Sequence, residues 1–281
     1  MTREIDVAGD VPALRTNVGA WRRAGERIAV VPTMGALHAG HLSLVERARR
    51  EADRVVVSIF VNPTQFAPTE DLSRYPRTFE ADRAALAGLA DVIFAPDAAE
   101  MYRPGDATTI NVAGPATVGL EDRFRPTHFA GVATVVAKLL IQSQADVAVF
   151  GEKDYQQLKV VTRMAADLFL PVRIVPGETA READGLALSS RNRYLSPQDR
   201  ATAPVLHRTL DACARDIRGG EAIETALDRA RETITTAGFR IDYVEARNAD
   251  DLTPVSATSE PIRLLAAATL GTTRLIDNIP V

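Results

Sequence analysis

Short apolar segments alternate with longer amphipathic segments through the first two-thirds of this 281-residue chain. The apolar segments are continuous hydrophobic runs, as expected of strands that are buried on both faces of a parallel sheet covered by helices. They predict strands at Ile28–Val31, Val55–Val61, Val92–Ala95, Thr109–Val112, Val147–Phe150 and Val172–Val175. The predicted helices lie near residues 11–24, 41–52, 76–90, 129–143 and 155–168. This alternation predicts a doubly wound α/β domain whose ligand crevice lies at the carboxyl ends of the strands.

The pattern changes after Pro176-Gly177. The segment Ser196-Pro197-Gln198-Asp199 has the cap, the first-turn proline and the acidic third position of a helix start. From there the sequence predicts two helices, near 197–218 and 220–236, and then three strands, at Arg240–Ala246, Ile262–Ala268 and Thr273–Asn278. We therefore expect a parallel-sheet domain over residues 1–177 and a smaller α+β domain over residues 178–281.

Two histidines lie three residues apart where the first predicted strand gives way to a helix, in the segment Pro32–His41. At this spacing the imidazoles of His38 and His41 share one face of a helix, one turn apart. Gly40 between them has no side chain, so a phosphate can approach the backbone closely. Because a helix N-terminus also attracts anions through its unpaired N–H groups, the segment suits a polyphosphate.

Further polar clusters follow other predicted strands. Asn62-Pro63-Thr64-Gln65 comes after Val55–Val61, and residues 151–157 come after Val147–Phe150. If the strands are parallel, these clusters and the histidines meet in one crevice. A fourth cluster, Ser189-Ser190-Arg191-Asn192, begins beyond the domain boundary and could extend back over that crevice.

Each cluster also has an ordinary structural explanation. A histidine near a turn is usually structural, Asn62-Pro63 is a common turn dipeptide, and Asp154 and Gln157 have the spacing of a capping box. Lys153 is compatible with a solvated surface charge, and Ser189-Ser190-Arg191 with an exposed loop. Their joint placement after successive strands favours a functional site, because structural explanations do not predict convergence.

The charge and the cysteine content exclude several classes of protein. A net charge of −4 and a pI of about 5.7 provide no general attraction for nucleic acid or for an anionic membrane. The single cysteine, Cys213, excludes an internal disulfide and a cysteine-based zinc site, and we expect it to be a small buried hydrophobic residue. The N-terminal residues lack the apolar stretch of a signal peptide, and the apolar runs are too short to span a bilayer. We therefore expect a cytoplasmic protein whose phosphate site is a local cluster of positive charge.

The residue types fit chemistry at a nucleotide phosphate. Histidine and lysine can stabilise charge on a transferring or departing phosphate, and Arg191 can bind two oxygens at once. Asp154 at the end of a strand suits ribose hydroxyls, whereas Gln65 and Gln157 suit a small polar substrate without adding charge. No side chain is an obvious covalent nucleophile, so the pattern favours catalysis by positioning and electrostatics.

Five segments resemble the pantoate–β-alanine ligase family, which is part of the nucleotidylyltransferase-like superfamily with class I aminoacyl-tRNA synthetases. They are PTMGALHAGH at 32–41, FVNPTQF at 60–66, YPRTFEAD at 75–82, FGEKDYQQL at 150–158 and DGLALSSRN at 184–192. They occur in the family's order and cover the first domain and the interdomain linker, whereas the C-terminal domain is similar mainly in length and position. The resemblance implies a Rossmann-like first domain that binds ATP and pantoate, with the C-terminal domain as a lid.

The resemblance also implies a two-step reaction. The carboxylate of pantoate attacks the α-phosphorus of ATP, giving pantoyl adenylate and pyrophosphate. The amine of β-alanine then attacks the activated carbonyl, giving pantothenate and AMP. Adenylation is needed because a carboxylate is a poor electrophile. The same resemblance implies Mg²⁺ that arrives with ATP and is bound mainly by phosphate oxygens and water, a homodimer through the N-terminal domain, and no nucleic-acid or membrane partner.

By position, the resemblance assigns roles to particular residues. The phosphates and the departing pyrophosphate would be contacted by His38, His41, Lys153, Ser189, Ser190 and Arg191, with Gly40 between the histidines and Met34 at the backbone of the motif. Gly151 and Asp154 would hold the ribose, and the backbone at Ala180 and Leu188 the adenine. Pantoate would lie against Gln65 and Gln157, near Asn62, with Val132, Val135 and Val136 as an apolar wall. The valines have an ordinary alternative, because valines at helical spacing usually form core.

One stretch, residues 121–129, departs from the family pattern. Asp122 and Thr127 stand where the family usually has glycine. We expect the loss of two glycines to stiffen this loop or to alter its path, which affects what Arg125 and His128 can do.

Three alternatives stay open on the residues alone. A nucleotidylyltransferase of the same fold would join a nucleotide to a phosphate-bearing substrate, but the neutral Gln65 and Gln157 favour a smaller and less charged one. An aminoacyl-tRNA synthetase is disfavoured by the acidic balance and by the absence of an anticodon-binding region. A non-catalytic nucleotide-binding protein is disfavoured by the complete set of phosphate-facing residues.

Overall fold

The computed structural model describes residues 5–66, 72–255, 257 and 260–281 of the chain. The chain divides into two compact units. The first comprises residues 1–151 and 157–177, and the second comprises residues 152–156 and 178–281. The short segment 152–156, which lies inside the predicted first domain, therefore groups with the second unit.

The first unit contains a six-stranded parallel sheet. Its strands are β1 (Asp6–Ala8), β2 (Ile28–Thr33), β3 (Arg54–Ile59), β4 (Val92–Phe94), β5 (Val147–Gly151) and β6 (Arg173–Gly177), in the order β1-β4-β3-β2-β5-β6. The helices of this part of the chain are α1 (Val11–Arg23), α2 (Ala39–Glu51), α3 (Phe79–Leu86), α4 (Ala98–Met101), α5 (Glu121–Phe124), α6 (His128–Ser143) and α7 (Tyr155–Asp167). The predicted doubly wound Rossmann-like sheet is confirmed.

The strands are apolar along their whole length because both faces of the sheet are covered. Val31 of β2 and Val57 of β3 belong to one core cluster with Val45 of α2. Their neighbours Val30 and Val56 point to the opposite face and are equally buried, at 1% exposure. Helix α6 packs on β2, and α1 packs on α6.

The direction of strand addition reverses at β2. The chain adds β3 and β4 on one side of β2, and β5 and β6 on the other. In open α/β sheets the ligand crevice lies outside the carboxyl ends of the strands at such a switch point. In this chain that point is where β2 and β5 end, next to the first turn of α2.

One strand prediction for this unit was wrong, and one strand was missed. Thr109–Val112 is not a strand, because its residues join no ladder and the backbone N–H of Ile110 instead donates to Thr134 Oγ1 on α6 at 2.9 Å. Its β-branched residues resembled a strand, but strand formation needs a partner edge. Strand β1 was not predicted, because this edge strand begins with Asp6, exposes its first two residues and has no continuous apolar run.

Helix α3 is shorter than the helix predicted over 76–90. It ends at Leu86, because Ala87 leaves the helical region at ψ 123° and Gly88 adopts φ +78°. The other predicted helices and strands of the unit agree with the structure to within two residues at most ends, which is the usual uncertainty of element boundaries.

The second unit contains a three-stranded antiparallel sheet in the order β7-β8-β9, formed by β7 (Arg240–Asn248), β8 (Ile262–Leu270) and β9 (Thr273–Pro280). Its helices are α8 (Pro197–Thr202), α9 (Val205–Arg218) and α10 (Ile223–Thr236). Leu210 of α9, Ile234 of α10 and Leu264 of β8 meet in its core, and each is fully buried. The expected α+β architecture is confirmed.

The single helix predicted over 197–218 is two helices. Pro204 has no backbone N–H, so it interrupts the series of helical hydrogen bonds; α8 ends at Thr202 and α9 begins at Val205. Within the part of the chain that the structure describes, no helix has the length and apolarity needed to cross a membrane.

Candidate active site

The two motif histidines lie at the N-terminus of α2, directly after the turn that leaves β2. His38 is the N-cap residue with an extended backbone, and His41 is the third residue of the helix. Their ring centroids are 4.1 Å apart and the ring planes are inclined by 35°. Both imidazoles therefore lie at the switch point of the sheet, where a ligand crevice is expected.

A hydrogen bond between the two histidines defines the tautomer of one of them. The backbone N–H of His38 donates to Nδ1 of His41 at 3.3 Å. A nitrogen that accepts carries no proton, so a neutral His41 carries its proton on Nε2. That Nε2–H group is a donor suited to a phosphate oxygen. The first turn of α2 contains no acidic residue, so no carboxylate there offsets the positive end of the helix dipole.

Asp82 shapes the turn between β2 and α2. Its carboxylate is 3% exposed and accepts the backbone N–H groups of Ala36 at 2.9 Å and of Leu37 at 2.8 Å. Gly35 and Ala36 have φ of +79° and +50°, so two successive residues are in the left-handed region. A Cβ on Gly35 would lie 3.0 Å from a carboxylate oxygen of Asp82, which leaves glycine as the residue that fits. Asp82 belongs to one of the family-like segments but was not among the predicted site residues.

Asn62 orients the side chain of Gln65. Asn62 is the N-cap of a 3-10 helix that ends at Gln65, and its amide donates to Gln65 Oε1 at 2.9 Å and to the carbonyl of Gly131 at 3.2 Å. Its Oδ1 accepts the hydroxyl of Tyr102 at 2.7 Å. Burial raises the pKa of Tyr102, so this phenol stays protonated and donates. With 1% exposure, Asn62 holds Gln65 in place and presents almost none of its own surface to a substrate.

The first and second polar clusters meet. The side-chain amide of Gln65 lies 3.3 Å from Sδ of Met34, the residue that follows β2. Strands β2 and β3 pair in parallel in a continuous register, from Ile28 opposite Arg54 to Thr33 opposite Ile59. Their carboxyl ends therefore lie side by side. The structure therefore confirms the expected convergence for these two clusters.

Helix α6 packs directly on the backbone at Gln65. A Cβ at Gly131 would lie 2.5 Å from the carbonyl oxygen of Thr64, so only glycine allows the helix to come this close. The carbonyl of Gln65 accepts from Nδ1 of His128 at 2.9 Å and from the guanidinium of Arg125 at 3.3 Å. Since a carbonyl oxygen can only accept, Nδ1 of His128 carries a proton. Gly131, Arg125 and His128 support Gln65 and were not among the predicted site residues.

The two positions that depart from the family's glycines do not require glycine in this chain. The carboxylate of Asp122 accepts the backbone N–H groups of Gly119 at 2.9 Å and of Leu120 at 3.0 Å. Thr127 is the N-cap of α6 and has φ −98° and ψ −5°, which any residue adopts. Asp122 thus adds two hydrogen bonds to the loop.

The remaining first-unit candidates differ in exposure. The three candidate valines of α6 are Val132, Val135 and Val136. Their exposure of 2–5% is typical of core residues on a covered helix. Gln157 lies in the first turn of α7 and is partly exposed. Gly151 ends β5, where an added Cβ would lie 3.7 Å from Leu44 of α2.

In the second unit, Lys153 and Asp154 lie on a single 3-10 turn that leads into α7. Nζ of Lys153 is 3.8 Å from Oδ1 of Asp154, and their side chains are 21% and 49% exposed. The carbonyl of Lys153 accepts a hydrogen bond from the side chain of Asn278 on β9. The C-terminal sheet therefore holds the backbone from which both candidate side chains extend.

The backbone predicted to contact adenine lies in a tight hairpin. The N–H of Leu188 donates to the carbonyl of Ala180 at 2.9 Å. Gly185 forms the turn with φ +94°, and a Cβ there would lie 2.7 Å from the ring of His207 on α9. Glycine is thus required both by the turn and by the close approach of α9.

An ion pair attaches this hairpin to β9. Arg181 donates to both carboxylate oxygens of Asp277, at 2.7 and 2.8 Å. Burial alone raises the pKa of Asp277, but hydrogen bonds from His207 and Arg181 outweigh it and leave the pKa below its usual value. Asp277 was not predicted, because no pattern near it in the sequence marks a partner about a hundred residues away.

Ser189, Ser190 and Arg191 lie in the turn that follows the hairpin. Ser189 is the N-cap of a 3-10 helix over Ser190–Tyr194, and its Oγ accepts the N–H of Arg191 at 3.2 Å. The amide of Asn192 donates to Glu182 and to the carbonyl of Ala187, at 3.2 and 3.1 Å. The turn and the hairpin therefore form one connected piece of the second unit.

The described residues contain no group of three or more His, Cys, Asp or Glu side chains arranged to hold a metal ion. Mg²⁺ does not need such a cage at a nucleotide site, because it is usually bound through substrate phosphates, water and one or two carboxylates.

The chain is similar over nearly its whole length to one family of enzymes. A sequence model described as pantoate-beta-alanine ligase matches residues 6–280. A pantothenate synthetase of Rhodopseudomonas palustris (strain HaA2) is 56% identical over 283 residues, and one of a Bradyrhizobium species (strain BTAi1) is 57% identical over 283 residues. Each alignment covers 100% of this chain and 100% of the relative.

Solved structures show the same similarity. The pantothenate synthetase of Thermus thermophilus is 48% identical with a TM-score of 0.93, over 98% of this chain and 99% of that one. The pantoate-beta-alanine ligase of Francisella tularensis, crystallised with beta-gamma ATP and beta-alanine, is 32% identical with a TM-score of 0.81, over 98% of this chain and 97% of that one. The similarity in three dimensions thus includes the C-terminal sheet as well as the parallel one.

Proposed function

Because the chain belongs to the pantoate-beta-alanine ligase family, we propose which of its side chains carry each step of pantothenate formation. The enzyme is a ligase that uses ATP to form the amide bond between pantoate and β-alanine. The intermediate is pantoyl adenylate, and the other products are pyrophosphate and AMP. Two groups must therefore be held: the α-phosphorus with its departing pyrophosphate, and the carboxylate that attacks it.

One observation carries the assignment of the phosphates. His38 and His41 lie at the N-terminus of a 13-residue helix at the switch point of the sheet, and a neutral His41 has its proton on Nε2. Backbone N–H groups, the helix dipole and these imidazoles all favour an anion at that place. Gly40 lets a phosphate approach the helix backbone. Charge that builds up on the departing pyrophosphate is stabilised by donors already in position.

The family resemblance assigns the other ATP contacts to further residues in this proposal. The cationic groups of Lys153 and Arg191 bind phosphate oxygens, together with the hydroxyls of Ser189 and Ser190. Gly151 and Asp154 hold the ribose, and the half-exposed carboxylate of Asp154 suits its hydroxyl groups. The adenine is bound by the backbone of Ala180 and Leu188, and Met34 lies at the backbone of the histidine motif.

Pantoate binds against Gln65 and Gln157 in this proposal. The side chain of Gln65 is already oriented by Asn62 and its backbone by His128 and Arg125, so little conformational freedom is lost when pantoate binds. An amide can donate to a hydroxyl or to a carboxylate without adding charge of its own. The valines Val132, Val135 and Val136 provide the apolar side of the site.

The first step then depends on alignment. With pantoate on Gln65 and ATP on the histidines, one oxygen of the pantoate carboxylate points at the α-phosphorus, and the bond to the pyrophosphate oxygen breaks on the opposite side. When bound with ATP, Mg²⁺ would be held mainly by phosphate oxygens and water and would supply positive charge that neutralises the phosphates. In the second step the amine of β-alanine attacks the carbonyl carbon of the adenylate and AMP leaves. No side chain forms a covalent bond, so catalysis rests on positioning and electrostatics.

Two further properties belong to the same proposal. We expect the enzyme to act as a homodimer joined through the first unit, and to work in the cytoplasm, where its substrates are metabolites. Light scattering of the purified chain checks the first expectation, and a monomer mass would contradict it.

Pyrophosphate–ATP exchange tests the function directly. Labelled pyrophosphate should enter ATP when D-pantoate is present, and β-alanine should not be required, because the adenylate forms in the first step. A rival nucleotidylyltransferase would move labelled pyrophosphate into ATP only when its phosphate-bearing substrate is present. A non-catalytic protein would give no exchange under any condition. Exchange without pantoate, or none with it, contradicts the proposal. His38→Ala and His41→Ala should slow the exchange far more than they lower the melting temperature.

A further inference from the structure

The segment that carries Lys153 is held by one side chain of the last strand. The side-chain amide of Asn278 on β9 donates to two successive carbonyls, those of Glu152 and Lys153, both at 2.9 Å. Asn278 is 3% exposed, so water does not compete for these hydrogen bonds. Both donors of one amide thus bind the peptide groups on either side of the Cα of Lys153.

Arg263 on β8 determines the orientation of that amide. Its Nε donates to Oδ1 of Asn278 at 2.7 Å, and this leaves the NH₂ group of Asn278 pointing at the two carbonyls. Its Nη2 donates to the carboxylate of Glu152 at 3.0 Å. The guanidinium is 4.2 Å from the centre of the Tyr155 ring, within the range of a cation–π contact. Arg263 is 7% exposed. It contacts the segment directly at Glu152 and Tyr155, and indirectly through Asn278.

A third anchor lies at the other end of the segment. The hydroxyl of Tyr155 donates to the carbonyl of Ala249, just beyond β7, at 2.7 Å. Residues in β8 and β9 and a residue just beyond β7 therefore contact this segment at Glu152, Lys153 and Tyr155. From this backbone the side chain of Lys153 extends with 21% of its surface exposed. Because the ammonium group lies at the far end of a long side chain, a rotation of the main chain at Lys153 displaces it from its place.

We propose that Asn278 and Arg263 are positioning residues for Lys153, and that the C-terminal sheet thereby takes part in the adenylation step. The inference rests on the proposed role of Lys153 as a phosphate contact. Neither residue need touch the substrate. Asn278 determines where the main chain of Lys153 lies, and Arg263 keeps the amide of Asn278 in the required orientation. A displacement of about 1 Å in a catalytic group costs on the order of a hundredfold in rate.

The sharpest test is Asn278→Asp. Aspartate has the same shape and keeps an oxygen for Arg263, but it replaces the NH₂ donor with a second oxygen that faces two carbonyl oxygens. The turnover rate of pantoate-dependent pyrophosphate exchange should fall by roughly ten- to a hundredfold. The KM for pantoate should stay within about twofold, because Gln65 and its supports lie on the parallel-sheet unit.

Asp242→Asn is the matched control. Asp242 is on β7 of the same sheet, its side chain is 8% exposed, and it accepts from Arg274 at 2.7 Å. Asp242→Asn is the reverse isosteric change, at a partly buried arginine pair of the same sheet. It should lower the melting temperature and leave the exchange rate within about twofold of wild type. Asn278→Ala, which removes the donors without adding charge, is measured alongside in case Asn278→Asp does not fold.

A double-mutant cycle with Lys153→Ala separates positioning from general stability. If Asn278 acts through Lys153, the double variant should be no slower than Lys153→Ala alone. Effects that multiply, or an Asn278 variant that exchanges at the wild-type rate while Lys153→Ala is slow, overturn the inference and leave the proposed function standing. Wild-type exchange by Lys153→Ala itself would instead show that the proposed role of Lys153 is wrong, and the inference would fall with it.

Discussion

The backbone N–H of His38 donates to Nδ1 of His41, so the main chain of one histidine orients the ring of the other. The relationship gives the two nitrogens of His41 different functions. Nδ1 is used inside the protein as an acceptor, and Nε2–H is the donor that we assign to a phosphate. Two amide side chains can imitate these functions separately, because the oxygen of asparagine occupies the place of Nδ1 and the amide of glutamine reaches the place of Nε2.

We expect His41→Asn to fold normally and to be inactive in adenylation. The asparagine oxygen can accept the N–H of His38, but the donor toward phosphate is lost, at a cost of roughly a hundredfold or more in rate. His41→Gln should retain more activity than His41→Asn, although it caps the helix less well. Single-turnover formation of pantoyl adenylate and thermal unfolding of both variants measure the two effects. An His41→Asn variant with the wild-type rate would show that Nε2 has no such role.

Gly131→Ala should raise the KM for pantoate. The new Cβ would lie 2.5 Å from the carbonyl oxygen of Thr64, so α6 and the residues around Gln65 must move apart. Such overpacking usually costs about 1–3 kcal/mol in the free energy of unfolding. Gly19→Ala is the matched control: Gly19 is also inside a helix, but its Cβ would meet only the end of Arg23 at 3.5 Å. That variant should be slightly more stable than wild type, and an equal loss of pantoate affinity in both variants would contradict the explanation.

Asp277→Asn should destabilise the enzyme at neutral pH and do so less at acid pH. The hydrogen bonds from His207 and Arg181 leave the pKa of Asp277 below its ordinary value of 3.8, in spite of burial. Its contribution to stability is therefore complete above about pH 4 and is lost as the pH falls through the lower pKa of the folded state. Breaking a buried pair costs about 3–5 kcal/mol.

Urea unfolding at several pH values between 7 and 3 tests this dependence. The difference between wild type and Asp277→Asn should shrink toward pH 3, and a constant difference would show that the pKa of Asp277 is not lowered. Asp211→Asn serves as the control, because Asp211 is half-exposed and pairs with Arg215 on the surface of α9. Its effect should be below about 1 kcal/mol at every pH.

Cys213 should not react with iodoacetamide in the folded enzyme at pH 8. The thiol is 2% exposed in α9, and burial raises its pKa to about 11, so almost no thiolate forms. In denaturant the same thiol should be alkylated readily, with one adduct by mass spectrometry. Rapid alkylation of the native protein would contradict the packing of α9 against the C-terminal sheet.

The fold was largely predictable because its elements are marked by local patterns. Continuous apolar runs predicted five of the six strands of the parallel sheet, since burial on both faces demands apolar residues at every position. Thr109–Val112 has β-branched residues but joins no ladder, and β1 is an exposed edge strand that begins with Asp6 and has no continuous apolar run. Pro204 was present in the sequence, and the break between α8 and α9 follows from it.

The candidate site was predictable in part. His38 and Gln65 were identified from strand ends and motifs, and the contact between Met34 and Gln65 confirms that the first two clusters meet. The residues that hold them were not identified. Asp82 is a single carboxylate in an ordinary helix, and Gly131 is a glycine within an apolar run, so their importance depends on what packs against them.

The sequence by itself determined the type and order of the secondary-structure elements, the family, and the positions that carry polar side chains at strand ends. The tertiary structure decided which proton His41 carries, what shapes the turn before it, and what holds the backbone of Lys153. The physical reason is distance along the chain. Asp82 meets Ala36 across 46 residues and Asn278 meets Lys153 across 125. Periodicity encodes local conformation, whereas such pairings exist only after sheets form in register and bring remote residues within hydrogen-bond distance.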